Sequence, residues 1–332
     1  MTGDAAARDA PVRGTPGDAG RAVAVTGARG FIGSAWCAHA RATGRPVRPI
    51  ALDLVATAHD ELVAALAGAY AVVHLAGRAH RLAARRSSDS EMRGANVDAT
   101  ERLARAAVDA GVTRFVFASS IKVHGEATAP GRPFRPGDAP APQDGYARGK
   151  ADAEAALVAA AAGTSMEPVI LRLPLVYGRG AKGNFRLLVD AVARGAWLPL
   201  ASIDNRRSLL SLANLTGAID AVLDTPAGAG RTPQVHLVAD ADAVSTPQLV
   251  RAIAAALDVR PRLRRCPVAL LRLAGAVTGR SAAIARLTGS LEADTASLTA
   301  WTGWRPLPFA VDRAMVERPM VERDSGRVQS SQ

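Results

Sequence analysis

Ala22-Val-Ala-Val-Thr26 runs without a break into Gly27-Ala-Arg-Gly-Phe-Ile-Gly33. The first five residues read as a short apolar strand, and Phe31 to Thr43 as a helix. Gly-x-x-Gly-x-x-Gly therefore spans a strand–helix junction. Gly27 permits the tight turn, Gly30 lets a pyrophosphate approach the backbone, and Gly33 lets helix and strand pack closely. The helix N-terminus adds N–H groups and a positive dipole end. A glycine pattern alone is weak, and its weight comes from this position at the first strand–helix junction.

Outward from that junction, strands alternate with helical stretches. Ala71-Val-Val-His-Leu75, Arg114-Phe-Val-Phe-Ala118 and Pro168-Val-Ile-Leu-Arg172 read as strands, and Glu91 to Ala110 and Tyr146 to Ala162 as helices. Pro130 to Asp144 holds five prolines and reads as a loop. This alternation predicts an α/β fold, a Rossmann-type doubly wound parallel sheet with helices on both faces. We expect a disordered leader over 1–20, a dinucleotide-binding domain over 21–176, a smaller, mainly substrate-binding domain over 177–317, and a flexible tail over 318–332. Strands are expected in the second region near Ser208 to Leu212 and Gln234 to Val238.

The chain has 332 residues and 48% apolar composition, enough for a sizeable core. Its net charge of +11 comes almost wholly from arginine: lysine occurs only at Lys122, Lys150 and Lys182. The arginines are spread along the chain and aromatics make up only 4%, so stacking platforms for nucleic acid are not expected. Cys37 and Cys266 are too few and too distant for a disulfide framework. The six histidines lack metal-ligand spacing, so no metal is expected. The longest apolar candidate for membrane insertion, Val268 to Val277, is broken by Arg272. A cytoplasmic protein that neither binds nucleic acid nor inserts into a membrane is expected.

Tyr146-Ala-Arg-Gly-Lys150 puts a phenol and an ammonium on one helix face. An ammonium beside a phenol favours phenolate, so Tyr146 is expected to shuttle protons near neutral pH. Ser119-Ser120 ends the strand before it, and the carboxyl ends of parallel strands are where ligands bind. A Ser120 hydroxyl there can hydrogen-bond the same substrate oxygen.

Thr-Gly-x-x-Gly-x-x-Gly, His74-Leu-Ala-Gly77, Ser-Ser-x-x-Val-x-Gly and Tyr-x-x-x-Lys occur in this order. Together they resemble the extended short-chain dehydrogenases/reductases, and within them the nucleotide-sugar epimerases and dehydratases. The Ser-Ser-Ile-Lys-Val element is similar to that of the UDP-glucose 4-epimerase-like subgroup. The resemblance covers roughly residues 21 to 317. It implies NAD as cofactor, with NADP possible, a UDP-sugar substrate, a homodimer, and a place in polysaccharide biosynthesis. It implies Ser120, Tyr146 and Lys150 as the catalytic set. Gly27, Gly30, Phe31, Ile32 and Gly33 would line the pyrophosphate. Asp53 and Leu54 would touch the adenine, and Leu75, Ala76 and Gly77 would flank the cofactor. Lys122, Asn184 and Arg207 would face the sugar nucleotide; taken alone, Arg207 also fits a surface arginine. His74 and the Trp301 and Trp304 pair read as packing residues.

Some positions depart from that pattern. His124 stands where relatives have Tyr, and Leu175 where many have Asn. Ile121 and Lys122 replace the Asp-Glu pair with which 4,6-dehydratases eliminate water, which argues against a dehydratase. A 4-epimerase, a reductase of a UDP-4-keto-6-deoxy-sugar (the UDP-N-acetylquinovosamine-forming kind) and a non-catalytic dinucleotide-binding regulator remain open. The dimer is expected to form through the 91–110 and 146–162 helices.

Only nine steps separate Gly44 from Asp53, where relatives fit a strand, a crossover and a second strand. A parallel crossover needs about a dozen residues. One strand near Val47–Leu52 is therefore expected, with Arg45 and Arg48 beside a thinned adenosine pocket.

Overall fold

A computed structural model describes residues 21–77, 94–129, 131–226 and 233–317. The expected leader and tail lie outside these residues. Among the described residues the strands are β1 (Val23–Thr26), β2 (Val47–Ile50), β3 (Ala71–His74), β4 (Arg114–Ser120), β5 (Glu167–Leu173), β6 (Leu175–Tyr177), β7 (Leu209–Ser211) and β8 (Gln234–Leu237). Six of them form one sheet in the order β2-β1-β3-β4-β5-β8, every pair parallel. The interior strands β1, β3 and β5 are buried at every residue, as a sheet covered on both faces requires.

Alternate residues of each strand serve opposite faces. Val23 and Val25 face α1 (Phe31–Ala42), joining Trp36 in one core. Ala24 joins the other core with Leu62 of α2 (His59–Leu66), Leu103 of α3 (Ala99–Asp109) and Leu157 of α4 (Gly145–Ala161). The described part of the expected 91–110 helix opens with a wide turn over Gly94–Asp98 and continues as α3; residues 91–93 lie outside the described segments.

A single strand does connect α1 to α2. It is β2, at the sheet edge beside β1, and it ends at Ile50. With so few residues after Gly44, the chain has length for one strand and no crossover.

The smaller lobe is built on the parallel pair β6–β7. Its core gathers Tyr177, Phe185 of α5 (Asn184–Ala193), Leu209, Ile253 of α7 (Thr246–Ala256) and Leu271 of α8 (Val268–Val277), with Ile284 of α9 (Ser281–Thr288) packed against it. The strand at Gln234 does not belong there, contrary to expectation. It pairs with β5 and extends the large sheet. The preceding helix α6 (Leu212–Asp224) likewise packs on the α1 side, through Leu215 and Ile219. The open flank of β5 offers unpaired backbone groups that β8 satisfies. The chain thus leaves the large sheet after β5, returns for α6 and β8, and leaves again. Trp301 and Trp304 pack against the α1 core, as expected of packing residues.

Candidate active site

The glycine loop is built by close approach. Gly27 has φ +68, and a Cβ there would lie 2.7 Å from the Ala76 nitrogen and the Leu75 carbonyl carbon. The turn after β1 therefore rests on the Leu75-Ala76-Gly77 segment that follows β3. At Gly33 a Cβ would come within 2.1 Å of the Gly27 oxygen, so α1 packs directly on the turn. Gly30 is the N-cap of α1, with no side-chain cap and no acidic residue in the first turn. The first-turn N–H groups are thus left to an anion from outside, and Phe31 and Ile32 lie in that turn.

His74 ties the strand ends together. Its Nδ1 lies 2.5 Å from Thr26 Oγ1 and its Nε2 3.2 Å from Thr100 Oγ1. Its ring stacks on Phe117 with centroids 5.5 Å apart. Burial, helped by the Lys150 charge, pushes its pKa down to about 3. It stays neutral, which fits a packing residue.

At the adenosine end, Asp53 is exposed, three residues beyond β2. Its carboxylate accepts hydrogen bonds from the Val55 (3.0 Å) and Ala56 (3.2 Å) N–H groups. Leu54 is buried, and its carbonyl accepts from Arg102 Nε at 3.1 Å. The arginines expected beside this pocket are engaged elsewhere. Arg45 donates to Asp224 (2.6 Å) and to the Tyr70 hydroxyl (2.9 Å), and Arg48 to the Ala65 and Ala67 carbonyls. The side chains of both reach for acceptors on the sheet flank rather than for the ribose.

The opposite wall is assembled from β4 and α4. Asp144 caps α4 by accepting from the Ala147 N–H at 2.7 Å, which sets the helix register at Tyr146. Lys150, one turn on, is buried; its ammonium donates to the Ala118 carbonyl at 2.8 Å and lies 4.5 Å from the Phe117 ring centre. A Cβ placed on Gly77 would lie 3.5 Å from that ammonium and 3.9 Å from the Asn96 amide oxygen. Ser120 is buried at the end of β4, accepts from the Lys122 N–H at 3.3 Å, and adjoins the Tyr146 phenol. Lys150 therefore adjoins Gly77, and one turn before it on α4 Tyr146 adjoins Ser120. Asn96 lies near Lys150 and Gly77 unforeseen; its only sequence signal was an amide in the turn before α3.

The phenol does not titrate as the Tyr–Lys spacing suggested. Burial and the Asp144 charge push Tyr146 up to about 12, against the downward pull of its Ser120 hydrogen bond. Burial brings Lys150 down to about 8, against the charge of Glu154. Desolvation is the largest influence on each group.

Behind this wall lies a second unforeseen assembly. The Ser119 hydroxyl donates to Glu154, one turn beyond Lys150. Arg172 of β5 donates to Glu154 at 2.6 Å and meets His124 Nε2 at 2.8 Å. His124 stacks on Phe134, and burial with the Arg172 charge brings its pKa down to about 4. The departure at His124 thus supplies a neutral acceptor for a buried guanidinium.

Lys122 is clamped between Glu126 and Asp144, at 2.7 Å from each. Burial would lower its pKa, but hydrogen bonds to Asp144 and Glu126 hold it above the ordinary value. Asn184 is the exposed first residue of α5. Arg207 is not a surface arginine: its Nη1 donates to the Arg286 (2.7 Å) and Gly289 (3.0 Å) carbonyls. Burial and the neighbouring Arg286 charge lower its pKa, against the pull of Glu126. Arg286, not foreseen from sequence, thus stands near Arg207. Tyr146 and Lys150 are not brought into contact with Arg207 or Asn184 by any direct bond. Among the described residues no His, Cys, Asp and Glu cluster could hold a metal, and no helix is long and apolar enough to cross a membrane.

Residues 23–237 match the model of the NAD dependent epimerase/dehydratase family. The chain belongs to this family. Over 189 residues it is 46% identical to a UDP-glucose 4-epimerase of Vibrio cholerae, a stretch that covers 56% of this chain and 57% of that protein. The alignment thus spans little more than half the length of that relative. The fold is similar to that of MoeE5, solved in complex with UDP-glucose and NAD, with TM-score 0.67 and 27% identity over 89% of this chain and 95% of that one. It is similar also to the UDP-N-acetylglucosamine 4-epimerase of Bacillus cereus, with TM-score 0.69 over 89% and 96% of the two chains; at 17% identity this likeness concerns the fold alone. The protein is thus a member of an NAD-dependent enzyme family, and family membership does not give its substrate.

Proposed function

We propose that the protein interconverts epimers at C4 of a UDP-sugar, a UDP-hexose or UDP-N-acetylhexosamine. The observation that carries this is the Lys150 ammonium beside Gly77 and the glycine loop, one helical turn from Tyr146, which adjoins Ser120. NAD fits that cleft, since the first turn of α1 has neither side-chain cap nor acid to compete with a pyrophosphate. When bound, NAD supplies a nicotinamide ring that takes hydride from C4 and gives it back.

The chain's own residues handle the proton and the orientation. Gly27, Gly30, Phe31, Ile32 and Gly33 would hold the pyrophosphate, Asp53 and Leu54 the adenosine end, and Leu75 to Gly77 the inner wall. Tyr146 takes the proton of the sugar 4-hydroxyl in one direction and returns it in the other. Ser120 would hydrogen-bond the same oxygen, and Lys150 would hold a cofactor hydroxyl. Arg207, with Arg286 beside it, and Asn184 would hold the sugar-nucleotide diphosphate, for which the guanidinium's fixed fork and permanent charge are suited. Lys122 would reach substrate only by leaving Glu126 or Asp144. Ile121 is buried and apolar and Lys122 is ion-paired, so no carboxylate occupies the places that would eliminate water.

One observation favours a second reading, a 4-keto-sugar reductase. A phenol held near 12 rests protonated at neutral pH and is poised to give its proton to a 4-keto oxygen. Purified enzyme given UDP-galactose, UDP-N-acetylgalactosamine and a UDP-4-keto-6-deoxy-sugar separates the two. Epimer formation without net reductant supports the first reading, and stoichiometric oxidation of added NAD(P)H the second. Neither activity would sink both and leave a dinucleotide-binding regulator. We also propose a homodimer through α3 and α4, whose outer faces frame a groove of about 710 Å³ between Arg105, Asp109 and Ala160. A monomer by light scattering at tens of micromolar would count against it.

A further inference from the structure

We propose that α8 and the arginine-rich segment leading into it form a peripheral docking surface for an anionic phospholipid bilayer. The helix is held to the smaller lobe along a narrow stripe. Leu271 and Gly275 are its buried residues, and a Cβ on Gly275 would lie 2.8 Å from Ile284 of α9. The other side carries Leu270, Leu273 and Val277, which are 55%, 61% and 80% exposed. Their spacing of three and four puts them on one face. That face is an apolar ridge with nothing from the described residues laid over it.

The segment that carries the ridge has charge of one sign, between Asp258 and Glu292. Residues 259–291 contain seven arginines and no lysine, aspartate or glutamate. Arg260, Arg262, Arg264, Arg265, Arg272 and Arg280 are all exposed. The segment before the helix is fixed in place: the Leu198 N–H donates to the Arg262 carbonyl at 3.0 Å, and the Arg264 N–H to the Leu198 carbonyl at 2.9 Å. That pairing sets the Arg264 guanidinium 4.3 Å from the ring centre of Trp197, itself 61% exposed. An exposed tryptophan with arginines beside an apolar ridge matches the layering of a bilayer interface. There apolar side chains reach the acyl boundary, and cations meet phosphate headgroups. A nucleic acid would match the charge and leave the Leu-Val ridge in water. A second copy of this face would set like charges against each other. The bilayer uses both features at once. No helix crosses it, so the contact is a surface one.

The test is co-sedimentation of the full chain with phosphatidylglycerol-rich vesicles and with pure phosphatidylcholine vesicles. The protein should sediment with the first and not the second. Raising salt from 0.1 to 1 M, which shortens the screening length from about 10 Å to about 3 Å, should release it. Leu270→Ser/Leu273→Ser/Val277→Ser, and separately Arg262→Gln/Arg265→Gln/Arg272→Gln, should each weaken vesicle binding by about tenfold or more while NAD-dependent turnover is unchanged. Brominated lipid should quench tryptophan emission of the unaltered chain, and Trp197→Phe should abolish most of that quenching; this readout does not depend on the serine variant folding. No sedimentation with anionic vesicles overturns the proposal. So does binding that survives the serine changes and is lost only in the glutamine variant, the pattern of a polyanion such as nucleic acid. Self-association by light scattering that the serine changes abolish, without vesicle binding, assigns the ridge to a second copy and overturns it as well.

Discussion

At one end of the cleft, Lys150 and Ser120 are buried, and Glu154 and Arg172 form an ion pair behind them that is itself buried. At the other, Asp53 is exposed and spends its carboxylate on the two N–H groups of its own turn. The first end is stiff and desolvated, and small charge changes there have large effects. The second end is one strand deep and open to water, and changes there are screened. The chain spends one short strand at the open end and a seven-residue strand with a capped seventeen-residue helix at the buried end. Substitutions at the two ends should therefore differ in scale.

The largest effect is expected for Tyr146→Phe. The ring still packs and only the proton carrier is lost, so turnover should fall by about 10²–10⁴-fold. NAD affinity by titration calorimetry should stay within a few fold. Retention of a third of the activity would remove Tyr146 from the chemistry.

Arg172→Met probes the support behind the wall. It leaves the Glu154 carboxylate buried against Ser119, and breaking a buried pair on one side costs about 3–5 kcal/mol. The urea midpoint should drop accordingly, and Glu154→Leu added to Arg172→Met should restore much of it. If Arg172→Met alone leaves stability intact, the pair is not the rigid backing that the comparison requires.

Arg207→Ala removes charge-assisted hydrogen bonds, each worth about 1.5–3 kcal/mol. On the proposed function, KM for the sugar nucleotide should rise by about ten- to a hundredfold with NAD affinity unchanged. An unchanged KM would leave Arg207 as a tie to the 286–289 segment and nothing more.

Lys150 gives the pH dependence. Its pKa is about 8 in the fold against 10.5 for an exposed lysine, lowered by burial. Between those values the unfolded chain holds the extra proton, so this group makes stability rise with pH from about 8 to 10.5. Tyr146 acts oppositely: with its pKa raised from 10.0 to about 12, the folded chain keeps a proton that the unfolded chain has lost, so between those values its contribution to stability falls as pH rises. Activity that needs the ammonium should decline as pH rises through about 8. Glu154→Gln removes the one charge that holds this pKa up, so the limb should shift to lower pH. An unmoved limb would mean that Glu154 supports the wall without tuning Lys150.

Much of this was legible in the chain, and for physical reasons. Gly27 and Gly33 announce themselves because no other residue fits where a Cβ would strike backbone. The four-residue Tyr146–Lys150 spacing is local, so helix geometry alone places both. The Glu154–Arg172–His124 assembly joins α4, β5 and the turn after β4, and nothing local relates those positions. Asn96 and Arg286 were hidden for the same reason. The raised phenol pKa was missed because spacing reports a neighbour's charge and is blind to burial. The strand at Gln234 was misplaced because its apolar alternation says strand and cannot say which sheet.

The smallest effect is expected at the adenosine end, in the choice between NAD and NADP. Strong preference for NAD needs a carboxylate aimed at the ribose 2′-hydroxyl and shielded from water, so that a 2′-phosphate is repelled. Asp53 lies at the right strand end for this, since β2 pairs with β1. It is exposed, however, and its carboxylate caps the Val55–Ala56 turn. Strong preference for NADP needs an arginine to meet the phosphate, and Arg45 and Arg48 are held by Asp224 and by the Ala65 and Ala67 carbonyls. With neither device in place, the ratio of kcat/KM for the two cofactors should lie under about tenfold, or 1.4 kcal/mol. Asp53→Asn should change that ratio by less than about threefold, because a screened charge on the surface is worth little. A hundredfold preference for NAD that Asp53→Asn abolishes would place the carboxylate on the ribose. The adenosine end would then be as exacting as the catalytic wall, despite its missing strand.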